Sequence, residues 1–442
     1  MHVSVVGLGF VGLTTAACLA YKGIKVTGID IDEEKIKMIS NNLLPFYEPG
    51  LAEKVTQSLK RKDLMLSTDF ETLSSSKVTI ITVGTPNKND GTVDLSYLQQ
   101  AAESVGKVIR KKLDFHVVAL KSTVPPGTAL GIVAPALERT SGKRVSEGFG
   151  ICSNPEFLRE GNAIQDTLYP DKVVLGIIDK KTKQIMLTLY RQFYYRYKVN
   201  LVEVNLQTAE LIKYANNAFL ATKISFINTI ANICQQISGT DVEKVAHAIG
   251  LDKRIGPLFL KAGLGYGGSC FPKDVAAIIG IAEQHGYSPD LLKNTEKINQ
   301  LQPYKAVELL KIMIPDLRDT KVAVLGLAFK PDTTDMREAV SVKIIHALKA
   351  LGVTVRVYDP MAINEAKKIL TNSVLYCKTM KECLSEADAC IIVTEWPEFR
   401  KLTPHMLRKY MKNTILVDGR RVTSPNTFVG KIAGYVAIGH GN

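Results

Sequence analysis

His2-Val-Ser-Val-Val-Gly7-Leu-Gly9-Phe10-Val11-Gly12 opens the chain with an apolar run that ends in three glycines spaced G-x-G-x-x-G. The run predicts a β-strand. Thr14 to Tyr21 predicts a helix that Gly23 closes, and Lys25-Val-Thr-Gly-Ile-Asp30 predicts the next strand. In such a unit the first glycine makes the turn and the second lets a pyrophosphate approach. The third lets the helix pack on the strand with its N-terminus toward the phosphates. Asp30 stands 23 residues after Gly7, at the end of the second strand, where a carboxylate takes both ribose hydroxyls. A lone G-x-G-x-x-G says little; one inside a complete strand–helix–strand–aspartate unit predicts a dinucleotide site. Gly7, Gly9, Phe10, Val11 and Gly12 then face the cofactor, and Asp30 favours NAD over NADP because a 2′-phosphate would be repelled. Lys35 is a cation near the same ribose and leaves tolerance of a phosphate open.

Three further apolar runs predict buried parallel strands: Val78 to Val83 before Gly84-Thr85-Pro86, Val117 to Thr123, and Gly150 to Asn154 before Pro155-Glu156. Ligands bind beyond the carboxyl ends of such strands, which places Thr85, Thr123, Glu156 and Glu160 near one crevice. From Leu206 to Ser238 there is no proline or glycine and apolar residues recur at helical intervals. That predicts a spine helix roughly 50 Å long, more than one small domain needs. Lys213 and Asn217, four apart, share one of its faces. A second unit of the opening kind begins at Lys321-Val-Ala-Val-Leu-Gly326-Leu-Ala-Phe-Lys330. Its glycine pattern is degraded, and Pro331 to Glu338 is inserted before a helix near Ser341. Val355 to Asp359, Ala389 to Thr394 and Ile415 to Asp418 supply its other strands. The expected fold is α/β: two doubly wound Rossmann-like domains joined by a central helical domain with a long spine helix. The expected boundaries are 1–200, 201–316 and 317–442.

At 442 residues, with 46% hydrophobic and 22% charged residues, the chain fits a multidomain globular protein. Its net charge of +13 is scattered, without a basic run or arginine-rich arm, so a solvated lysine-rich surface explains it better than nucleic acid does. Such a field also favours small anionic ligands. The uncharged stretch Val3 to Tyr21 is long enough to resemble a membrane helix, but its glycines divide it into strand, turn and buried helix. Seven cysteines without a CxxC pair point to reduced thiols, a cytoplasmic setting and no metal site. One of them, Cys270, ends the glycine-dense loop Gly263-Leu-Gly-Tyr-Gly-Gly-Ser-Cys270-Phe-Pro-Lys273-Asp274. Glycines there let the backbone wrap a ligand, and a thiol beside a cation and a carboxylate suits an activated nucleophile. A tight turn with a buried, inert cysteine is the plainer alternative. An NAD site together with a cysteine nucleophile implies oxidation through a thioester.

These motifs, in order, resemble the UDP-glucose/GDP-mannose dehydrogenase family over nearly the whole length. They are GLGFVG at Gly7 to Gly12, KSTVPPGT at Lys121 to Thr128, NPEFLREG at Asn154 to Gly161 and AELIKYANNAFLA at Ala209 to Ala221. GYGGSCFPKD at Gly265 to Asp274, GLAFKPDT at Gly326 to Thr333 and TEW at Thr394 to Trp396 continue the series. The Gly-Tyr-Gly-Gly start and Cys-Phe-Pro-Lys-Asp ending look most like the branch acting on UDP-glucose. The sibling branches act on UDP-N-acetylhexosamine or GDP-mannose.

The resemblance implies roles residue by residue. Cys270 would be the nucleophile, Lys213 and Asn217 would stabilise alkoxide and tetrahedral oxyanions, and Asp274 would orient water and tune Lys213. Glu160 would serve thioester hydrolysis, with Glu156 and Thr123 supporting the water network and the nicotinamide. Thr85, Thr123, Glu160, Lys273 and Arg337 resemble cofactor contacts. Glu156, Phe157, Leu158, Arg159 and Glu160 line the sugar side with Lys213 and Asn217. Phe259, Leu260, Lys261, Ala262, Gly263, Gly267 and Lys330 resemble the UDP-sugar contacts. The resemblance also implies a homodimer built on the long helix, with Arg254 reaching the neighbouring subunit's sugar. Where the family shows Asp-Gly-Arg-Asn, this chain has Asp418-Gly-Arg420-Arg421, which leaves both arginines without an assigned role. A two-electron 3-hydroxyacid dehydrogenase also pairs a Rossmann domain with a long helix, lysine and asparagine. It lacks the third domain and has no need of Cys270. A non-catalytic nucleotide sensor would not keep every candidate catalytic residue.

Overall fold

The structure, a computed structural model, describes residues 1–88 and 92–441. The chain packs as two compact units, Met1–Asn216 and Asn217–Asn442. The first is built on one sheet whose strands are β1 (His2–Val6), β2 (Lys25–Ile29), β3 (Leu64–Ser67), β4 (Val78–Ile81), β5 (His116–Leu120), β6 (Phe149–Ser153), β7 (Lys172–Ile177) and β8 (Asn200–Val204). Their spatial order is β3-β2-β1-β4-β5-β6-β7-β8. The first six are parallel in the doubly wound order 3-2-1-4-5-6; β7 joins β6 antiparallel and β8 joins β7 parallel. Alternation divides the side chains between two apolar layers. Val3, Val5, Val78, Ile80, Val117 and Ala119 pack on one face, and Val6, Ile81, Val118 and Leu120 on the other. Strands buried on both faces must be apolar throughout, which is why they read as continuous runs.

The helix after β1 spans Phe10–Tyr21, four residues longer at its start than the expected Thr14. Gly9 is extended, at φ −74° and ψ −164°, and the helix begins immediately after it, so Gly12 lies inside the first turn. Gly12 has to be glycine: a Cβ there would stand 1.8 Å from the Gly7 carbonyl oxygen.

In the second unit the strands are β9 (Lys321–Leu325), β10 (Thr354–Tyr358), β11 (Leu375–Tyr376), β12 (Ala389–Ile392), β13 (Ile415–Asp418) and β14 (Gly434–Ala437). They are parallel in the order β11-β10-β9-β12-β13-β14, the same winding again. Ile227, Ala231 and Cys234 share one apolar core with Val322, Val324 and Val417, so the helical segment of this unit packs directly on a face of its sheet. The long helix runs Leu206–Cys234, and the unit division falls within it. It stops short of the expected Ser238, and the Thr240 hydroxyl lies within reach of the Cys234 (2.9 Å) and Ile237 (2.8 Å) carbonyls, either of which its one proton can satisfy. Among the described residues no helix is long and apolar enough to cross a membrane.

Candidate active site

In the first unit the in-register pairing of β1 with β2 sets Val6 beside Ile29, which brings the Gly7 turn (φ +91°) next to Asp30. Oδ2 of Asp30 accepts from the Leu8 N–H at 2.7 Å and from Lys35 Nζ at 2.9 Å; Oδ1 accepts from Asp32 N–H at 3.1 Å. Asp30 is thus oriented by the turn it serves, and with three of its roughly four acceptor sites used, Oδ1 keeps one for a ribose hydroxyl. A Cβ at Gly9 would meet nothing within 4 Å, so the backbone there faces open space, as a cradle for a pyrophosphate requires. These residues fit NAD. Phe10 and Val11 open the helix, with the Phe10 ring 5.2 Å from that of Phe46. Lys35 is tied to Asp30, which mutes the repulsion Asp30 would exert on a 2′-phosphate.

At the carboxyl ends of β4, β5 and β6 the Thr85 hydroxyl donates to the Thr123 carbonyl at 2.7 Å, holding those two loops together. Glu156 is buried. Its Oε1 accepts from Lys213 Nζ at 2.8 Å and its Oε2 from the Leu158 N–H at 2.5 Å. Burial opposes ionisation of Glu156, but the charge and hydrogen bond of Lys213, helped by Leu158 N–H and Lys121, hold its carboxyl below the usual glutamate range. The Phe157 ring lies under two cations, Lys172 at 4.2 Å and Lys213 at 5.6 Å from its centroid. Arg159 is exposed and locked on Asp166 through its backbone N–H, Nε and Nη2. Glu160, half-buried, follows it.

In the second unit Cys270 is the N-cap of the helix Phe271–Gln284, which carries Lys273 and Asp274 in its first turn. It is the one exposed cysteine; the other six are buried, and burial pushes Cys18 and Cys152 up to about 12. A thiol at a helix N-terminus meets backbone N–H groups that favour negative charge. Asp274 is buried, with Oδ1 on Lys273 Nζ and Oδ2 on Asn217 Nδ2, each at 2.7 Å. It therefore fixes the Asn217 amide and the Lys273 ammonium. The glycines before Cys270 are also close to protein atoms. A Cβ on Gly267 would stand 2.3 Å from the Glu338 carbonyl oxygen, and the Gly268 N–H donates to Arg337 O at 2.9 Å. At Gly267 a side chain has no room, because another backbone lies against it.

That backbone is the insertion after β9. Lys330 lies 5.5 Å from the Phe329 ring centroid, and Arg337 is exposed and paired with Asp335 at 2.7 Å. Asp359, at the end of β10, corresponds topologically to Asp30 yet is consumed by protein. Its Oδ2 accepts from Leu327 N–H, Ala328 N–H and Trp396 Nε1, its Oδ1 from Met361 and Ala362 N–H, all within 3.1 Å. It has no capacity left for a ribose, so this second winding cannot repeat the adenosine recognition of the first. Leu260, Lys261 and Ala262 line a cavity of about 230 Å³ with Glu243, His247 and Arg421. Phe259 precedes them at φ +64°, and Gly263 lies buried, its N–H on Asn228 Oδ1 at 2.8 Å. Arg254 is exposed and paired with Asp252 at 2.6 Å.

Several residues not singled out as site residues from the sequence bear on the site. Arg421 is a buried strut: Nη2 meets Asp241 at 2.9 Å and Glu243 at 3.1 Å, and Nη1 donates to Ile438 O. Arg420 donates from Nε to Val393 O at 2.7 Å, near Glu395. Lys121 Nζ donates to Asn154 Oδ1 at 3.2 Å; burial pulls its ammonium down to about 8 against the opposing pull of Glu156. Glu48 and Glu210 are buried carboxylates that accept from loop backbone. Nothing in a linear pattern marks them, because their partners lie far off in the chain.

Comparison with known proteins agrees along the chain. Residues 1–194 match the NAD binding domain of the UDP-glucose/GDP-mannose dehydrogenase family, 207–301 its central domain and 323–425 its UDP binding domain. The UDP-glucose 6-dehydrogenase TuaD of Bacillus subtilis is 41% identical over 435 residues, 98% of this chain and 92% of that protein. A solved UDP-glucose dehydrogenase from Pyrobaculum islandicum superposes with a TM-score of 0.88 at 38% identity, covering 96% of both chains. A UDP-D-ManNAc dehydrogenase from Pyrococcus horikoshii superposes nearly as well, at a TM-score of 0.87 with 29% identity and full coverage of both chains.

Proposed function

The chain belongs to the UDP-glucose/GDP-mannose dehydrogenase family of NAD-dependent enzymes, and on that premise we propose that it oxidises UDP-glucose at C6 to UDP-glucuronate, with Cys270 as the nucleophile. The observation that carries this reading is the setting of Cys270: exposed where every other cysteine is buried, at a helix N-terminus, beside Asp274 that holds Asn217. Residues 1–200 would hold NAD, 201–316 the thiol, and 317–442 the uridine diphosphate. The relatives named for UDP-glucose, at 41% identity, favour that sugar over the acetylated one, which fold alone does not separate.

NAD, held by Gly7 to Gly12 and Asp30, supplies the hydride acceptor, one molecule for each of two two-electron oxidations at C6. The protein does the rest. The Cys270 thiolate adds to the C6 aldehyde and forms a thiohemiacetal, whose carbon again bears a hydride that can leave. The thioester that results is cleaved by water, releasing the carboxylate and the thiol. The Lys213 ammonium and the Asn217 amide offer donors to the oxyanions of these steps. Glu160 takes the proton from the attacking water, while Glu156 holds Lys213 in place. The balance is one alcohol, two NAD and one water giving one carboxylate, two NADH and three protons.

A panel of nucleotide sugars assayed for NADH tests the reading. UDP-glucose should give two NADH per sugar and outrun UDP-N-acetylmannosamine and GDP-mannose. One NADH per sugar, with an aldehyde or ketone as final product, would sink it.

We also propose a homodimer. Leu211, Phe219, Phe226 and Ile233 stand exposed along the long helix at intervals of eight, seven and seven residues, a seam suited to a second copy. Arg254 would then reach the partner's sugar. Arg254→Ala and Cys270→Ala homodimers should each be nearly inactive, and their mixed dimer should regain one working site. Mixed dimers of verified composition that stay inactive would confine Arg254 to its own chain.

A further inference from the structure

We propose that Glu48 is a positioning residue: it grips the far end of the Glu156–Gly161 segment and so sets the reach of Glu160 in the hydrolytic half of the reaction. The catalytic consequence rests on the function proposed above; the grip itself does not. Glu48 lies between the helices Glu33–Ser40 and Leu51–Lys60, and it is only 4% exposed. A glutamate in a connecting loop is ordinarily solvated, and burying its carboxylate is unfavourable unless donors converge on it. Here they do. Oε2 accepts from the Gly161 N–H and Oε1 from the Ala163 N–H, each at 2.7 Å and more than a hundred residues away in sequence.

Neither donor serves a helix ladder. Ala163 opens the short helix Ala163–Leu168, whose first N–H groups lack intrahelical partners, and Gly161 is the peptide immediately after Glu160. The segment is thus held at three points: Glu156 by Lys213 and Leu158 N–H, Arg159 by Asp166, and Gly161 with Ala163 by Glu48. Glu160 lies between the second grip and the third. The loop after Thr123 is held in the same manner. Glu210 accepts from Gly127 N–H at 2.6 Å, from Ala129 N–H at 2.9 Å and from the Ser153 hydroxyl at 3.2 Å. Among the described residues Glu48, Glu156 and Glu210 are the buried glutamates, and each fixes a loop at the carboxyl end of β5 or β6. A glutamate that only stabilised the fold could sit under any loop; this one sits under the loop that bears Glu160.

Glu48→Gln tests the proposal, because an amide has one acceptor oxygen and turns an NH₂ toward the other N–H. Hydrogen exchange on the ligand-free protein reads the grip alone. The Gly161 and Ala163 amides should exchange about ten-fold faster or more, as losing a hydrogen bond to a charged acceptor implies. Kinetics read the consequence. The kcat should fall about ten-fold or more while KM for NAD and for UDP-glucose stays within about two-fold. Protein quenched in acid during turnover should carry more UDP-glucuronyl group on Cys270 than wild-type protein quenched in the same way. Glu48→Asp keeps the charge with a shorter reach and should fall between wild type and the amide in both measurements. It also serves should the amide fail to fold. Unchanged exchange overturns the grip whatever the reaction proves to be. Faster exchange with unchanged kcat and no more adduct than wild type overturns the positioning role and leaves the reaction standing. A wild-type protein that makes other than two NADH per UDP-glucose refutes the proposed function instead, and the exchange measurement still decides the grip.

Discussion

Cys270→Ser should lose at least about a thousand-fold in turnover with UDP-glucose while the protein keeps its fold. The two halves of that expectation have separate causes. Cys270 occupies an N-cap and makes no side-chain cap bond there, and serine is among the better N-cap residues, so the helix Phe271–Gln284 should hold or gain stability. The chemistry suffers because a neutral hydroxyl adds poorly to the C6 aldehyde, and the oxygen ester, if formed, hydrolyses more slowly than a thioester. NADH counting with thermal unfolding on the same sample checks both halves. Alkylation of wild-type protein should block activity at one thiol per chain, since the remaining cysteines are buried. A serine variant that still made two NADH per sugar at an appreciable rate would remove Cys270 from the mechanism.

Lys213→Met should be the most costly single change for stability near the site. It deletes the cation from a buried pair and leaves Glu156 with its charge opposed only by Lys121 and the Leu158 N–H. Breaking a buried pair on one side typically costs about 3–5 kcal/mol, because an uncompensated charge remains. The pH dependence has a definite sign. In the wild type the Glu156 carboxyl lies below its ordinary value, so its contribution is present at neutral pH and is lost as pH falls through that lowered value. In the variant burial dominates and raises the carboxyl, so Glu156 takes up a proton on acidification and the penalty is relieved. The stability gap should be widest at neutral pH and narrow as pH falls through and below the ordinary glutamate range. Denaturant titrations at several pH values measure this. A gap that stays constant with pH would mean that Glu156 does not feel Lys213. Turnover should fall along with stability, and Lys213→Arg should restore the stability better than the turnover, because the guanidinium keeps the charge but not the compact ammonium at that position.

The doubly wound character of both sheets was legible because the decisive signals are contiguous. A strand, a G-x-G-x-x-G turn, a helix and an aspartate occupy the first thirty residues, and each follows from its neighbours. The strands that went unread were β3, β7, β8, β11 and β14, and all but β7 are sheet edges. Two of these edges are short or polar: β8 reads Asn-Leu-Val-Glu-Val and stays largely exposed, and β11 has two residues. The early start of the first helix was missed for a related reason. Glycines ordinarily argue against a helix, whereas here Gly12 is what allows one to pass so close to Gly7.

By itself the sequence determined what local geometry can enforce: the two windings, the spine helix, the aspartate beside the first turn and the cysteine at the end of a glycine-dense loop, whereas the helix that this cysteine heads came from the structure. Turn conformations, capping and periodicity act over a few residues, so their causes lie side by side in the chain. Only the tertiary structure decided how the buried charges are used. Asp30 and Asp359 end equivalent strands, yet the first keeps acceptor capacity and the second is filled by donors from two distant segments and from the turn that follows it. Arg421 is a strut on Asp241, and Glu48 and Glu210 grip loops far from them in sequence. A buried carboxylate is stable only where several donors meet, and folding brings those donors together from anywhere in the chain. No pattern in neighbouring residues can announce it.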